Sequence, residues 1–183
     1  MTPSPPDQQI SAHLAALEVT PSDEGAFQAL ESLYSKHDRW EDLVALYEGR
    51  ARHGADGGAS ALLVKAAELA HRRMRNGARA EELYRQVLHV DPGHPSALLS
   101  MIEIYEERND FTALAEALEQ QANRTGDPRA AALLYVRLGR VFEERLLRRE
   151  RAALYYARAC RLDPALVEAR EAALRCQLAL RRW

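Results

Sequence analysis

The chain has 183 residues and a formal net charge of −2, from 25 Lys and Arg against 27 Asp and Glu. Its 32 alanines and 26 leucines make up about a third of it, whereas valine, isoleucine and threonine total 15, a balance that favours helices over strands and excludes the strongly basic character of a general nucleic-acid binder. No apolar run approaches the length that crosses a bilayer, the first residues lack the basic start and apolar stretch of a signal peptide, and two cysteines, Cys160 and Cys176, supply neither a disulfide framework nor a metal set, so a reduced, cytoplasmic, all-α protein is expected.

In chain order, residues 1–6 are expected to form a disordered tail, and residues 7–18 an amphipathic helix that stops at Thr20-Pro21. That helix reads as the second member of a helix pair, without its first. Four complete pairs follow at about 24–57, 58–94, 95–128 and 129–164, and a last helix at 165–181 reads as a first member. Inside each pair the apolar residues recur three or four apart, as at Phe27, Leu30, Leu33 and Tyr34, the period of a helix with one buried stripe. The polar breaks within the pairs are Lys36–Arg39, Arg75–Arg79, Arg108–Asp110 and Arg145–Arg149. Breaks this short make the two helices antiparallel neighbours. Gly57-Gly58 reads as a linker between pairs, and Asp91-Pro92 and Asp163-Pro164 close the second and fourth pairs, because proline cannot continue a helix.

The chain also repeats itself. A shift of 71 residues matches Ala26 with Ala97, Tyr34 with Tyr105, Trp40 with Phe111 and Leu43 with Leu114. RAEELYRQVLHVDP likewise matches RAALYYARACRLDP, with one extra residue near the turn of the fourth pair. The sequence is therefore two copies of a four-helix unit. One pair cannot bury its apolar stripe alone, whereas stacked pairs bury a continuous core. Arg-Arg-Trp183 falls in register with Asp-Arg-Trp40, so the last helix is either a cap or the start of a further pair in a longer array.

These pairs resemble tetratricopeptide repeats of the bacterial type, a helix–turn–helix unit of 34 residues. The resemblance rests on the small residues Ala80 and Ala152, the following aromatics Tyr84 and Tyr156, the Asp-Pro closures, and Leu138-Gly139 with Phe142. Leu43 and Leu114 stand where the family has alanine, Leu118 where it has an aromatic, and Ala67-Glu68 where it has Leu-Gly. The resemblance implies a right-handed α-α superhelical solenoid of antiparallel helix pairs, with a concave groove lined by the first helix of each pair. The groove positions carried over are Gln28, Ser32, Ser35 and Lys36 in the first pair, Lys65, Leu69, Arg72 and Arg73 in the second, Leu99, Glu103, Glu106 and Glu107 in the third, and Val136, Arg140, Glu143 and Glu144 in the fourth. Such a groove would be basic over the first and second pairs and acidic at one side of the third and fourth, with Leu69, Leu99 and Val136 as an apolar floor. The Lys/Asn clamp by which some members grip chaperone tails is absent, since Gln28, Ser32, Ala66, Ser96 and Ser100 occupy its positions.

Little in the sequence points to catalysis. It has no nucleophile-elbow serine, no Gly-rich phosphate loop and no cysteine–histidine pairing in a motif. His89, Asp91 and His94 lie close together, but an Asp-Pro helix stop between them does not give metal-ligand spacing. His71 stands where a packed aromatic is expected, as a core histidine. The expected role is therefore a non-catalytic scaffold or adaptor that holds a peptide or helix of another protein, with no cofactor and no metal. Residues 1–129 carry a net charge of −8 and residues 130–183 one of +6, an asymmetry suited to electrostatic choice of partner. Two alternatives are kept. One is a basic edge, formed by His71–Arg79 and Arg145–Arg151, that contacts RNA or an anionic surface. The other is a regulatory domain of a larger protein.

Overall fold

A computed structural model of the chain describes residues 5–53 and 58–181. Among these residues every regular element is helical: α1 (Pro5–Val19), α2 (Glu24–Lys36), α3 (Trp40–His53), α4 (Ala59–Arg72), α5 (Gly77–Val90), α6 (Pro95–Glu107), α7 (Phe111–Arg124), α8 (Pro128–Arg140), a π-helical turn at Val141–Arg145, α9 (Arg149–Leu162) and α10 (Val167–Leu180). α1 begins inside the segment expected to be tail: Pro5 and Pro6 stand in its first turn, where proline's missing N–H has no intrahelical acceptor to lose. The Gly57 half of the expected linker, most of the expected tail and Trp183 lie outside the described residues.

The chain divides into two compact units, residues 1–97 and residues 98–183. The boundary falls in the first turn of α6, at the junction of the two sequence copies. In the first unit α1 packs on α2, α2 on α3, α3 on α4 and α4 on α5. In the second, α7 packs on α8, α8 on α9 and α9 on α10. The cores are built from the apolar stripes. Leu30, Tyr34, Leu43, Ala67, Leu83 and Tyr84 are buried in the first unit, and Leu118, Tyr135, Leu138, Tyr156 and Cys176 in the second. Asp23, Asn76, Asp110 and Asp127 accept backbone N–H bonds at the starts of α2, α5, α7 and α8, satisfying donors that the first helical turn leaves open.

The turns inside the pairs show the duplication in the backbone. Each holds one residue in the left-handed region: Asp38 at φ 53°, Arg75 at 52°, Asn109 at 56° and Leu147 at 54°. In the odd pairs the following N–H reaches back five residues, Arg39 to Tyr34 and Asp110 to Tyr105, both at 2.9 Å, which is the helix-ending pattern of a Schellman turn. In the even pairs it reaches back six, Asn76 to Ala70 at 2.8 Å and Arg148 to Phe142 at 2.7 Å. The even turns are therefore wider by one residue. Ten residues separate the buried Ala70 from Ala80 and the buried Phe142 from Ala152, against nine from Tyr34 to Leu43 and from Tyr105 to Leu114.

The extra residue thus belongs to both even pairs, and not to the fourth alone. The fourth pair accommodates it as the π-helical turn, the usual form of a one-residue insertion in a helix. The register of the second pair shifts accordingly. Ala66-Ala67, both fully buried, stand where Leu138-Gly139 stand, so Glu68 is not the partner of Gly139. The second break is also displaced: Arg73–Asn76 separate α4 from α5, and Gly77 opens α5 under the Asn76 cap.

Candidate functional site

The first helices α2 and α4 in the first unit, and α6 and α8 in the second, carry the sixteen expected groove residues. On α2, Gln28, Ser32, Ser35 and Lys36 are all exposed. On α4 and just beyond it, Lys65, Arg72 and Arg73 are exposed and Leu69 is half-buried. On α6, Leu99, Glu103, Glu106 and Glu107 are exposed. On α8 and the turn after it, Arg140 and Glu144 are exposed as carried over, whereas Val136 and Glu143 are not. Val136 is 4% exposed and belongs to the core, while Leu133 is 51% exposed. Residues 133, 137, 140 and 144 recur every three to four residues and so share one side of the helix, and Val136 falls outside that side. Leu133, and not Val136, is the exposed aliphatic residue of α8, on the same side as Arg137 and Arg140.

The charges on this face meet one another. In the second unit, the Arg137 guanidinium donates to Glu106 at 2.5 Å, linking α8 to α6. Arg140 donates to Glu168, linking α8 to α10. In the first unit, Lys65 lies 3.7 Å from Glu31, linking α4 to α2. Glu106 is thus paired with an arginine of the next first helix. Both partners of each pair in the second unit are roughly half exposed, and ion pairs this wet contribute about 0–1 kcal/mol. They hold little energy against exchange with a ligand's charges.

Glu143 is not an open groove acid. Its side chain is 15% exposed and accepts three bonds, from Tyr156 Oη at 2.9 Å and from Arg175 Nε and Nη2 at 3.1 and 2.9 Å. It ties the π-helical turn to α9 and α10. The Arg175 guanidinium, followed by the Tyr156 hydroxyl, holds the Glu143 carboxyl below the ordinary carboxylate range against the opposing effect of burial. Burial, followed by the bond to Glu143, pushes the Tyr156 hydroxyl up. The first unit has a related cluster, with lysine in place of arginine. Tyr47 Oη donates to Glu31, and the Lys65 ammonium sits 5.6 Å from the centre of the Tyr47 ring. The two clusters join residues 13 to 34 apart in sequence, which no local motif announces. The one sequence signal was Tyr156, the aromatic that follows Ala152.

A cleft of about 580 Å³ opens in the first unit between α1 and α3, over α2. Leu14, Leu17, Phe27 and Leu46 form its walls, with Glu18, Asp42, Arg50 and His53 among its polar lining. Arg50 is engaged with the Pro21 carbonyl at 2.8 Å and with Glu24 at 2.7 Å. In the second unit the basic turn is open: Arg145, Arg148, Arg149 and Arg151 are all exposed, with Arg145 5.1 Å above the Phe111 ring and Arg151 5.5 Å above that of Phe142. His71 is half-buried. His94 acts as a helix cap, its Nδ1 accepting the Ala97 N–H at 3.4 Å. Among the described residues no three His, Cys, Asp or Glu side chains gather where they could share a metal ion, and no helix is long and apolar enough to cross a membrane.

Residues 26–57, which take in most of α2 and all of α3, match the family model of the tetratricopeptide repeat. This one segment is similar to a tetratricopeptide repeat, and the described helix pairs share the fold of such repeats. The fold agrees with solved repeat structures. The crystal structure of MamA superposes with a TM-score of 0.51 at 13% identity, covering 90% of this chain and 97% of MamA. The C-terminal part of a TPR repeat-containing protein from Cytophaga hutchinsonii superposes with a TM-score of 0.55 at 13% identity, covering 97% of this chain and 67% of that one. At such identities the likeness speaks for the fold. No curated protein matches the sequence. Within the tetratricopeptide frame Ala80, Ala152, Tyr84 and Tyr156 are fully or almost fully buried, as their place at the contact between paired helices requires.

Proposed function

We propose that this chain is a non-catalytic scaffold that holds a helical or extended segment of a partner protein on the open side of its first helices. The observation that carries this reading is the mixed face of the second unit. Leu99 and Leu133 are 49% and 51% exposed beside Glu103 and Glu107 on α6 and Arg137 and Arg140 on α8. Burial of the leucines would supply affinity, while the flanking charges set orientation and encounter rate. The matching segment presents apolar side chains to the leucines, a basic group toward α6 and an acidic group toward α8. In the first unit the exposed Lys36, Lys65, Arg72 and Arg73 suit an acidic stretch, and charge reversal of Lys65, Arg72 and Arg73 to Glu should weaken capture of such a segment at low salt.

A photo-crosslinking residue placed at Leu99 or Leu133, and in a parallel protein at the exposed Leu154 of α9, tests the assignment in lysate of the source cells. Crosslinks to one defined peptide from Leu99 and Leu133 support it. Crosslinks from Leu154 alone overturn the first-helix face. The exposed arginines of residues 145–151 favour a second reading, contact with RNA or an anionic surface. Retention on heparin that falls steeply with salt would support that reading, and passage through heparin at low salt would dismiss it.

A further inference from the structure

The two units treat the gap between successive second helices differently. In the second unit that gap lies between α7 and α9, and the chain fills it with its own side chains. The Tyr155 ring stacks between those of Tyr135 and Phe142, with centroids 6.2 and 5.3 Å away and planes inclined by 10° and 19°, and its hydroxyl bonds Glu119 of α7. Three residues on, the Arg158 guanidinium lies 4.6 Å from the centre of the Tyr135 ring and donates to Asn123 of α7 at 3.1 Å. Tyr135 Oη donates to the same Asn123 oxygen at 2.6 Å.

In the first unit the gap lies between α1 and α3. The turns align Tyr34 with Phe142 and Leu43 with Ala152, so Phe27 answers to Tyr135, Leu46 to Tyr155 and Gly49 to Arg158. Aligning Pro21 with Pro92, and Ala80 with Leu114, sets Leu14 and Glu18 at the positions of Glu119 and Asn123. Each donor or ring that closes the second gap is thus cut back here, and what remains is the cleft of about 580 Å³. Its described lining comes from α1, α2, α3 and the turn after α1, so it lies within the unit and not at one of its ends. A Cβ on Gly49 would meet nothing within 4 Å, and Leu14 is 41% exposed. Arg50 is paired with Glu24 and Asp42 with Arg39, whereas Glu18 is exposed and no described residue donates to it. We infer that this cleft is a second docking site, which takes from a partner protein what the second unit takes from itself: an aromatic side chain laid against Leu14, Leu17 and Leu46, and a basic side chain one helical turn away that pairs with Glu18. Burial of the ring supplies the affinity, and the charge pair sets the direction of the guest segment. The site stands apart from the first-helix face, and neither depends on the other.

The test titrates the whole chain, carrying isotope-labelled leucine methyls, with the peptide acetyl-AYAARA-amide, which repeats the spacing of Tyr155 and Arg158. Saturable ring-current shifts of the Leu14, Leu17 and Leu46 methyl signals are expected at millimolar peptide. Binding should be about tenfold weaker when leucine replaces the peptide's tyrosine, and should weaken with added salt. Leu46→Tyr with Gly49→Arg rebuilds the filling of the second unit and should abolish the shifts, while circular dichroism stays that of the parent. Glu18→Arg, at an exposed position, should prefer acetyl-AYAAEA-amide to acetyl-AYAARA-amide, reversing the order of the parent. The absence of saturable shifts at the three leucines overturns the inference. So does equal binding of the leucine peptide, or shifts that persist in the filled and folded variant. Should that variant unfold, an unreversed order in Glu18→Arg overturns it in the same way.

Discussion

A methyl group added at Gly139 would sit 2.6–2.9 Å from three ring atoms of Tyr156, a side chain with no exposed surface. The ring cannot swing away, so α8 and α9 must part. Gly139→Ala should cost about 1–3 kcal/mol, as overpacked cores do, read from urea unfolding. Leu147 poses the opposite case. It holds φ 54° and is 78% exposed, so its side chain gains little while its backbone sits where L-residues are disfavoured. Leu147→Gly should raise stability by up to about 1 kcal/mol in the same measurement. Glu143 sets a pH dependence. Its folded carboxyl is held below the ordinary range, chiefly by Arg175, so the unfolded chain takes up that proton first as pH falls. The stabilisation is complete above the ordinary carboxylate range and is lost through the acid limb. Glu143→Gln should therefore be clearly less stable than the parent near pH 7 and close to it near about pH 3, by denaturation at both pH values.

At the scale of the helix pair, a narrow turn alternates with a wide one, and buried small residues set how closely the helices approach. Ala80 and Ala152 are fully buried, so Ala80→Leu or Ala152→Leu should lose about 1–3 kcal/mol by overpacking. Ala130, in the first turn of α8 and only half-buried, should accept leucine at little cost, and equal losses at all three sites would refute this packing register. The helices themselves were legible in the sequence, because three-to-four spacing and Asp-Pro closures are local signals. The wide turn was half legible. Its extra residue showed in the fourth pair, where Leu138-Gly139 fixes the frame, and was missed in the second, where Ala66-Ala67-Glu68 offers two equally plausible registers and only burial chooses between them. The candidate face was legible as a set of first-helix positions but not in detail. Val136 and Leu133 are both aliphatic, and which of them faces α8's neighbours depends on helix rotation. Glu143's engagement with Arg175 depends on a residue 32 positions away.

At the scale of the whole chain, the boundary between the compact units coincides with the junction of the duplication. A unit that contains its own stacked pairs has its own nearest-neighbour interfaces. Residues 95–183, cut before Pro95 so that α6 stays whole, should therefore be helical by circular dichroism and should unfold cooperatively on their own. A non-cooperative, largely coil-like spectrum would show that the second unit depends on the first.

The alternation of turns has a consequence for how such a chain is lengthened or shortened. A narrow turn and a wide turn hand the backbone on to the next helix from different starting points, so the grammatical phrase is four helices long and not two. Splicing out a lone hairpin would set like turn beside like and leave the seam out of step by one amino acid, whereas deleting or inserting a full phrase keeps every later contact in cadence.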